Sequence, residues 1–552
     1  MKSAGRIFAL LIATIMLFAM LSACGNAPKA SEEGSSNYGN VSTSTSATGD
    51  GVEAVDPFMK YEPAITMTVG QFVGDDKMFP EGESPDNNKA YSMVEKNIGI
   101  KFETKFTAPY GDPFNEKIRQ QININDIPDF CTAQIADIET LIKGDMIENL
   151  APYIDKYGSP ALKDMLFYKD GVLVKAVTRG DKIYGLPATS DINNGVAVLW
   201  IRKDWMEKVG ASEPKSIEDV VTIGKMFVEK GLAKYGIAMS NEKNALSYTG
   251  LMNAYGAYPG AWIKGNDGKI TNGSIAPEMK TGLDALRKLY AGGFIDNEYI
   301  SKDNNKAIEN VLAGDVGIMI GEFWSPIWPL QSGVTADPAV DWNCYRLPAA
   351  GGGEASPYAK IPVSGYAFVR KGYSNPEAAI IYLNHIIDDM YTPETTRPFA
   401  TELRASRTDE KYKNLNIFGW LPLQVDRPDK NINWAKNLAA AVETKSPDGL
   451  KTPDEKDLYA KITSGTTDNW CILRTYLNGV PTAASYKSLH YDDYTGAPTA
   501  SMLSQSGLTS GVEVEFVSKY ITGKISESAF DNYVKEWLAS GGQQMLDEIN
   551  AQ

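Results

Sequence analysis

Short strand patterns alternate with longer helical patterns from about residue 64 to the C-terminus, and this alternation most constrains the fold. Ala64 opens the segment AITMTVGQF, in which apolar residues alternate as they do in a half-buried strand. Residues 89–98 have helical spacing, residues 99–107 are again strand-like, and residues 112–123 are again helical. This order predicts an α/β fold in which helices and sheets form packed layers.

Later helices are marked by their ends. Ser216 is an expected N-cap, with Asp219 three residues on, and the periodic apolar residues that follow stop at Gly231. An amphipathic helix is predicted over 278–291. Pro376 is expected in the first turn of another helix, where proline is tolerated.

Charge and composition exclude some function classes. The 552 residues include 54 Lys+Arg against 69 Asp+Glu, for a formal net charge of −15. Nucleic-acid binding needs a basic face, and adhesion to anionic lipid needs a polybasic patch, so both are disfavoured. With 43% hydrophobic and 22% charged residues, the chain is globular, and its length suggests two to four domains or lobes.

The N-terminus predicts a secreted, lipid-modified protein. Lys2 and Arg6 precede an apolar run over 7–20, which is the length of a signal-peptide core and too short to span a bilayer. The run ends in Leu-Ser-Ala-Cys-Gly, which looks like a bacterial lipobox. We therefore expect a signal peptide over 1–23 and lipidation of Cys24. The alternative is an ordinary cleaved signal followed by a chance cysteine.

Residues 24–63 are expected to form a flexible linker, because their Gly, Ser, Thr and Asn content cannot bury a core. The remaining cysteines, Cys131, Cys344 and Cys471, allow at most one disulfide. Their spacing favours buried thiols and not a zinc site.

An ordered series of segments resembles a known family. The segments are IPDF (127–130), KIYGLP (182–187), LWIRKDWMEKVG (199–210), LRKLYAGGFID (286–296), LAGDVGIMIGEFW (312–324), NPEAAIIYLN (375–384) and the tail over 515–542. Together with the lipobox, they resemble the extracellular solute-binding lipoproteins of bacterial ABC transporters, in the large branch that binds oligosaccharides such as aldouronates and polysaccharide fragments.

The resemblance implies a two-lobe, periplasmic-binding-protein-like α/β fold of type II character, with a hinge, several crossovers and a cleft between the lobes. Lobe one would hold 64–190 and 365–405, and lobe two would hold 191–364 and 406–552. It also implies a monomer without cofactor or catalysis. That monomer would be anchored through Cys24 on the outer face of the cell membrane and would deliver an oligosaccharide to permease subunits.

Nine side chains are candidates for the ligand site, because carboxylates and amides bond sugar hydroxyls and aromatic rings stack on pyranoses. Glu322 and Trp324 rank first, since they follow a buried strand and ligands bind outside the carboxyl ends of strands in α/β folds. The others are Trp262, Asp191, Asn194, Tyr248, Trp420, Trp470 and Asp129. Core packing is the alternative for the aromatic residues, and turn or cap chemistry for the polar ones.

No metal is expected. Many relatives carry a calcium loop after the helix that corresponds to 217–230, and this chain has no run of oxygen ligands there. Residues 265–273, GNDGKITNG, lack the EF-hand spacing and its final Glu.

Three other functions stay open on the sequence alone. A surface glycoside hydrolase would need two carboxyls about 5–10 Å apart, and no motif selects such a pair. A binder of peptides or of another small solute would share the fold. A sensor or adhesin without a permease partner is the third. The charges of the cleft, and hence of the ligand, are not fixed by the overall acidity.

Overall fold

The computed structural model describes residues 55–74, 79–265, 267–412, 415, 417–509 and 511–551. The predicted signal peptide, Cys24 and most of the predicted linker lie outside these residues. Twelve strands occur in the described part of the chain. They are β1 (Ile65–Val73), β2 (Ile100–Pro109), β3 (Phe130–Ala133), β4 (Thr178–Arg179), β5 (Lys182–Ile183), β6 (Leu186–Thr189), β7 (Val198–Arg202), β8 (Trp262–Lys264), β9 (Ile270–Asn272), β10 (Ile318–Gly321), β11 (Trp342–Arg346) and β12 (Val363–Val369).

Helices surround these strands. In the first 397 residues the α-helices are Lys89–Ile98, Asp112–Asn123, Ile135–Lys143, Ala151–Tyr157, Pro160–Leu166, Tyr168–Gly171, Lys203–Val209, Ile217–Glu229, Tyr248–Met252, Pro277–Ala291, Asn304–Leu312, Gln331–Ala336 and Ala378–Tyr391. The C-terminal part adds Pro398–Thr408, Lys430–Thr444, Pro453–Ser464, Trp470–Arg474, Val480–Ala484, Ala500–Ser504, Gly511–Ile521, Ala529–Trp537 and Gln543–Asn550.

Helix ends follow the local chemistry that the sequence predicts. The Ser216 hydroxyl accepts from the backbone N–H of Asp219, and the Asp219 carboxylate accepts from the Ser216 N–H, both at 3.1 Å. This reciprocal capping box starts the helix Ile217–Glu229, as predicted. Gly99 ends the helix Lys89–Ile98 in the left-handed region, with φ of 76°, where a side chain would meet the backbone of Tyr61.

Lobe one is built on a five-stranded sheet of order β2-β1-β3-β12-β6. Strand β1 runs parallel to β2 and β3, whereas β12 is antiparallel to both β3 and β6. The carboxyl ends of β1, β2, β3 and β6 therefore lie at one edge of the sheet. The chain leaves lobe one from that edge, directly after β6.

Lobe two contains a smaller antiparallel sheet of order β10-β7-β11. Two hydrophobic clusters pack on it, and both combine residues from the middle of the chain with residues from the C-terminal part. One cluster takes the helices Gly511–Ile521 and Ala529–Trp537, and the other takes Lys430–Thr444 and Pro453–Ser464. The amino end of β7 faces the segment that arrives from lobe one.

Three segments of the described chain cross between the lobes, at residues 189–192, 361–363 and 426–428, and the first is hydrogen-bonded to the other two. The bonds run from Ser190 N–H to Pro362 O (3.0 Å), from Ile192 N–H to Pro428 O (2.9 Å) and from the Thr189 hydroxyl to Asp426 O (2.6 Å). A connection this narrow is the hinge expected of a two-lobe protein.

Two boundaries differ from those predicted. The side chains of Ile417, Trp420 and Leu423 pack in the core of lobe one, so that lobe continues to about residue 425 instead of ending at 405. Residues 55–63 were expected in the linker, but the Pro57 carbonyl accepts from Asn384 at 2.7 Å, and Tyr61 packs on the same core. Both segments are ordered by contacts with residues far away in the sequence. Their own composition therefore does not predict that they pack on lobe one.

None of the helices in the described part of the chain combines the length and apolar character that crossing a bilayer requires.

Candidate functional site

The exit of β10 lies at the end of the lobe-two sheet that faces lobe one. Gly321, the last residue of β10, pairs with Val198, the first residue of β7. Because β7 begins where the chain arrives from the hinge, Glu322 and Trp324 follow β10 at that same edge. The structure therefore brings the two highest-ranked candidates to the side of lobe two that borders the hinge.

The Glu322 carboxylate links the residues that follow β10 to the segment by which the chain enters lobe two. Its Oε2 accepts from the backbone N–H of Gly195 at 2.7 Å and from the indole N–H of Trp324 at 2.9 Å. Burial raises the pKa of Glu322 above its usual value, against these two donors. No donor among the described residues bonds Oε1, which leaves one carboxylate oxygen able to accept from a ligand.

The Trp324 ring is half-buried and stacks near Trp328, with ring centroids 6.4 Å apart and an interplanar angle of 26°. The bond to Glu322 fixes the orientation of the indole. Such a ring offers one face for contact with the C–H groups of a sugar. Trp328 lies within the short, irregular helical segment Pro326–Leu330, and it is not among the nine predicted candidates.

Asn194 lies in the same corner, beside Gly195. It is half-buried, and its side-chain amide makes no hydrogen bond within the described part of the chain. Asp191 is 4% exposed, and its Oδ1 accepts from the Asn193 N–H at 2.8 Å. Asp191 therefore shapes the turn from beneath, and its predicted role as a ligand contact stays a prediction. Burial and the nearby Asp426 raise the pKa of Asp191 to about 7.

A lysine of lobe one reaches lobe two next to this corner. The ammonium of Lys169 is 5.4 Å from the Tyr168 ring centroid and 5.9 Å from that of Tyr491, which packs on a lobe-two core. Lys169 and Asp170 both adopt left-handed conformations, with φ of 44° and 60°. Such backbone strain costs of order 1 kcal/mol per residue and is typical of functional segments.

Lys169 and Tyr491 are not among the residues predicted from the sequence. A lysine within a short helical stretch and a tyrosine in a loop carry no local signal, because they lie far apart in the sequence and belong to different lobes.

Asp129 and Trp470 lie at the ends of their sheets that face away from the hinge. Asp129 precedes β3 and accepts from Thr68 Oγ1 at 2.6 Å and from the Arg370 guanidinium at 2.6 Å. The Trp470 indole donates to Asp341 at 2.9 Å, next to the start of β11. These side chains hold structure at the far edges, so the geometry gives no support to their predicted ligand roles.

Three other aromatic candidates pack in cores. Tyr248 is 0% exposed, and its hydroxyl donates to the buried Glu513 at 2.8 Å. Trp420 is 1% exposed and packs against Phe79 in lobe one. The Trp262 ring lies in a core of lobe two, while its backbone N–H donates to Asp492 at 2.7 Å. Core packing, the alternative interpretation of these three aromatic residues, therefore matches their positions, and the geometry gives no support to stacking on a ligand.

Candidate metal ligands and thiols were also located in the described part of the chain. Among the residues that the structure describes, no group of three or more His, Cys, Asp or Glu side chains is placed to hold a metal ion. Cys131 and Cys344 are buried free thiols, and Cys471 is a half-buried one.

Comparison with known proteins identifies the architecture. The family described as bacterial extracellular solute-binding protein matches residues 85–391. The polygalacturonan/rhamnogalacturonan-binding protein YtcQ of Bacillus subtilis is 22% identical over 490 residues, which covers 84% of this chain and 88% of that protein.

Two solved structures share the fold. An extracellular solute-binding protein from Bifidobacterium longum subsp. infantis has a TM-score of 0.59 at 14% identity, over 89% of this chain and 100% of that one. The alginate-binding protein AlgQ2 has a TM-score of 0.57 at 14% identity, over 90% and 99%. The predicted two-lobe α/β fold and the predicted relationship are confirmed, and the chain belongs to the bacterial extracellular solute-binding protein family.

Proposed function

We propose that this protein captures an oligosaccharide in the cleft between its lobes and delivers it to the permease of an ABC importer. The observation that carries the proposal is the Glu322–Trp324 pair at the hinge-facing edge of lobe two. One carboxylate oxygen holds the indole at 2.9 Å, and the other has no donor among the described residues. A fixed ring beside an acceptor suits a pyranose, whose C–H face stacks while its hydroxyl donates.

The hinge supports capture by closure. A ligand at Glu322 lies beside the segment that crosses at 189–192, and Lys169 reaches this region from lobe one. A ligand that contacts both lobes binds the closed form better, and it shifts the population toward that form by its differential affinity. The permease would then dock on the closed form, as the family relationship implies.

Acidic sugars belong among the ligands to be tested. The relative YtcQ is named for binding polygalacturonan and rhamnogalacturonan. Here Lys169 and the exposed Lys360, beside the second crossing segment, have no carboxylate within ion-pair distance in the described part of the chain. Ammonium groups that form no ion pair can bond the carboxylate of a uronate residue.

The lipid anchor rests on the sequence. Cys24 follows a signal-peptide pattern and stands where the lipobox places the acylated cysteine. Two or more acyl chains would hold the protein stably on the outer face of the membrane. We propose no catalytic step, and we propose that the protein acts as a monomer.

Isothermal titration with the lipidated full-length protein in detergent tests the proposal. The panel contains galacturonate, xylose-based and fructose-based oligosaccharides, the matching monosaccharides, and short peptides. We expect micromolar binding of one oligosaccharide series, and about tenfold weaker binding by Trp324→Ala, which is about 1.4 kcal/mol. Trp470→Ala is the matched control, since it removes another half-buried, hydrogen-bonded indole from the far edge and should leave affinity unchanged.

Other outcomes would overturn the proposal in distinguishable ways. Binding of peptides alone would reject the oligosaccharide ligand and keep the binding-protein fold. Release of shortened sugars during incubation would reject a purely binding role. Equal losses of affinity in the two tryptophan variants would show that the ligand does not bind at the exit of β10.

A further inference from the structure

An exposed aromatic pair stands at the outer end of the lobe-one sheet. Tyr110 is 71% exposed, the largest value among the big apolar side chains of the described residues. Its ring meets Phe72 edge to face, with centroids 5.4 Å apart and an interplanar angle of 69°. Phe72 is itself only half-buried. Two adjacent rings in solvent form a patch, which a scattered single side chain does not.

Topology places this patch on the side of lobe one that faces lobe two. Tyr110 directly follows β2, and Pro109 pairs with Val73 at the end of β1. The carboxyl ends of β1, β2, β3 and β6 share one edge, and the chain crosses to lobe two from the end of β6. Tyr110 therefore lies on the same edge as the hinge.

The patch is far from the hinge along that edge. In the order β2-β1-β3-β12-β6, strand β2 is outermost and β6 adjoins the hinge. Four strand spacings separate them, which is about 19 Å. A short solute held at Glu322 and Trp324 does not reach that far, whereas an extended oligosaccharide does.

The backbone holds Tyr110 at a fixed place. Strand β2 ends at the preceding residue, and Gly111, with φ of 92°, turns the chain into the helix Asp112–Asn123. The Gly111 carbonyl accepts from the N–H groups of Phe114 and Asn115, both at 3.1 Å. A ring on a strand-to-helix junction, braced by Phe72, presents its face without the ordering cost of a mobile loop.

We propose that Tyr110, braced by Phe72, is an outer subsite that stacks on the distal sugar of an oligosaccharide whose inner end lies at Glu322 and Trp324. This inference rests on the proposed function and adds a chain-length preference to it. The occupant is the same sugar chain, since the patch continues along the edge that borders the cleft. A stacking role explains why an aromatic side chain stands at an exposed position, where it contributes little to folding.

Titration of the lipidated full-length protein with oligosaccharides of increasing length tests the subsite. The probes are galacturonate, xylose-based and fructose-based oligomers, from disaccharide to hexasaccharide. We expect wild-type affinity to rise with length. Tyr110→Ala should lose about tenfold for the hexasaccharide, or about 1.4 kcal/mol, and less than twofold for the disaccharide. Tyr110→Phe keeps the ring and should retain wild-type affinity.

Ile124→Ala is the matched control. Ile124 is 65% exposed and follows the last residue of the helix Asp112–Asn123, about 18 Å from Tyr110 along a 12-residue helix. We expect it to bind every probe as wild type does. Both residues are exposed, so thermal unfolding of the variants should match wild type.

The possible failures are separable. Wild-type binding that does not depend on length, or a loss in Tyr110→Ala that is equal for all lengths, would overturn the subsite and leave the proposed function standing. Wild-type silence toward all three series would overturn the proposed function and the subsite with it.

Discussion

The Glu322 carboxylate accepts a hydrogen bond from the Gly195 N–H at 2.7 Å, and so joins the exit of one strand to the turn by which the chain enters lobe two. The same oxygen orients the Trp324 indole. One oxygen of this side chain, Oε2, therefore holds the local structure, while the other, Oε1, has no donor among the described residues. Substitutions can separate the structural role of Oε2 from the proposed ligand contact of Oε1.

Glu322→Gln should weaken oligosaccharide binding about tenfold, or about 1.4 kcal/mol, while changing stability little. The amide oxygen can still accept from Gly195 and Trp324, but the amide nitrogen replaces an acceptor with a donor. Titration and thermal unfolding check this expectation. Glu322→Ala should instead lower both affinity and unfolding temperature, because two half-buried donors lose their acceptor. A Gln variant with wild-type affinity would show that the unoccupied oxygen does not contact the ligand.

Lys169→Met should weaken every oligosaccharide by about two- to fivefold, irrespective of length. The substitution removes a cation–π contact between the lobes that contributes about 0.5–1 kcal/mol to the closed form. Small-angle scattering of the ligand-free protein should show a larger radius of gyration. Lys156→Met is the matched control, because the Lys156 ammonium lies over Tyr157 at 5.0 Å within lobe one. Identical behaviour of the two variants would mean that Lys169 does not hold the lobes together.

Local sequence chemistry predicted the elements well. Helix starts such as Ser216 depend on residues three positions apart, and the strand and helix patterns over 64–123 depend on periodicity alone. The two-lobe arrangement followed from an ordered series of segments. Each of these signals lies within a short stretch of chain.

The surroundings of the candidate site residues depend on distant partners, so the sequence alone does not show which of them the fold buries. Nothing in the sequence near Tyr248 shows that its hydroxyl donates to Glu513, 265 residues later. Trp470 is bonded to Asp341, 129 residues earlier. Tyr110 is not among the nine candidates, and only the strand order places it on the edge facing lobe two. Burial and sheet order are properties of the whole fold.

Cys24→Ala should abolish incorporation of a labelled fatty acid, because the lipobox thiol is the expected acceptor. Without acyl chains the protein has no hydrophobic anchor of the kind that holds lipoproteins on a bilayer, so it should not be recovered as the mature, membrane-held form. Metabolic labelling followed by membrane fractionation measures both effects. Cys471→Ala should label and fractionate as wild type does. Labelling that survives Cys24→Ala would place the modification elsewhere.

The hinge carboxyl Asp191 should make stability fall as pH rises from about 4 to about 7. Burial raises its pKa from an ordinary 3.8 to about 7, so across this window the folded protein binds one proton that the unfolded chain has released. The free energy of unfolding then decreases by at most about 1.4 kcal/mol per pH unit. The full contribution is present below about pH 4 and is lost above pH 7.

Asp191→Asn imitates the protonated carboxyl and keeps an oxygen for the Asn193 N–H. Its unfolding free energy should be higher than that of wild type at pH 7.5, and flatter between pH 5 and 7, in urea titrations. Asp129→Asn is the control of opposite sign. Burial alone would raise the pKa of Asp129, but bonds from Thr68 and Arg370 outweigh it and hold that pKa below its usual value. The Asp129 contribution is therefore present above about pH 4 and is lost in acid. Parallel pH profiles for wild type and Asp191→Asn would mean that Asp191 stays ionised at the hinge.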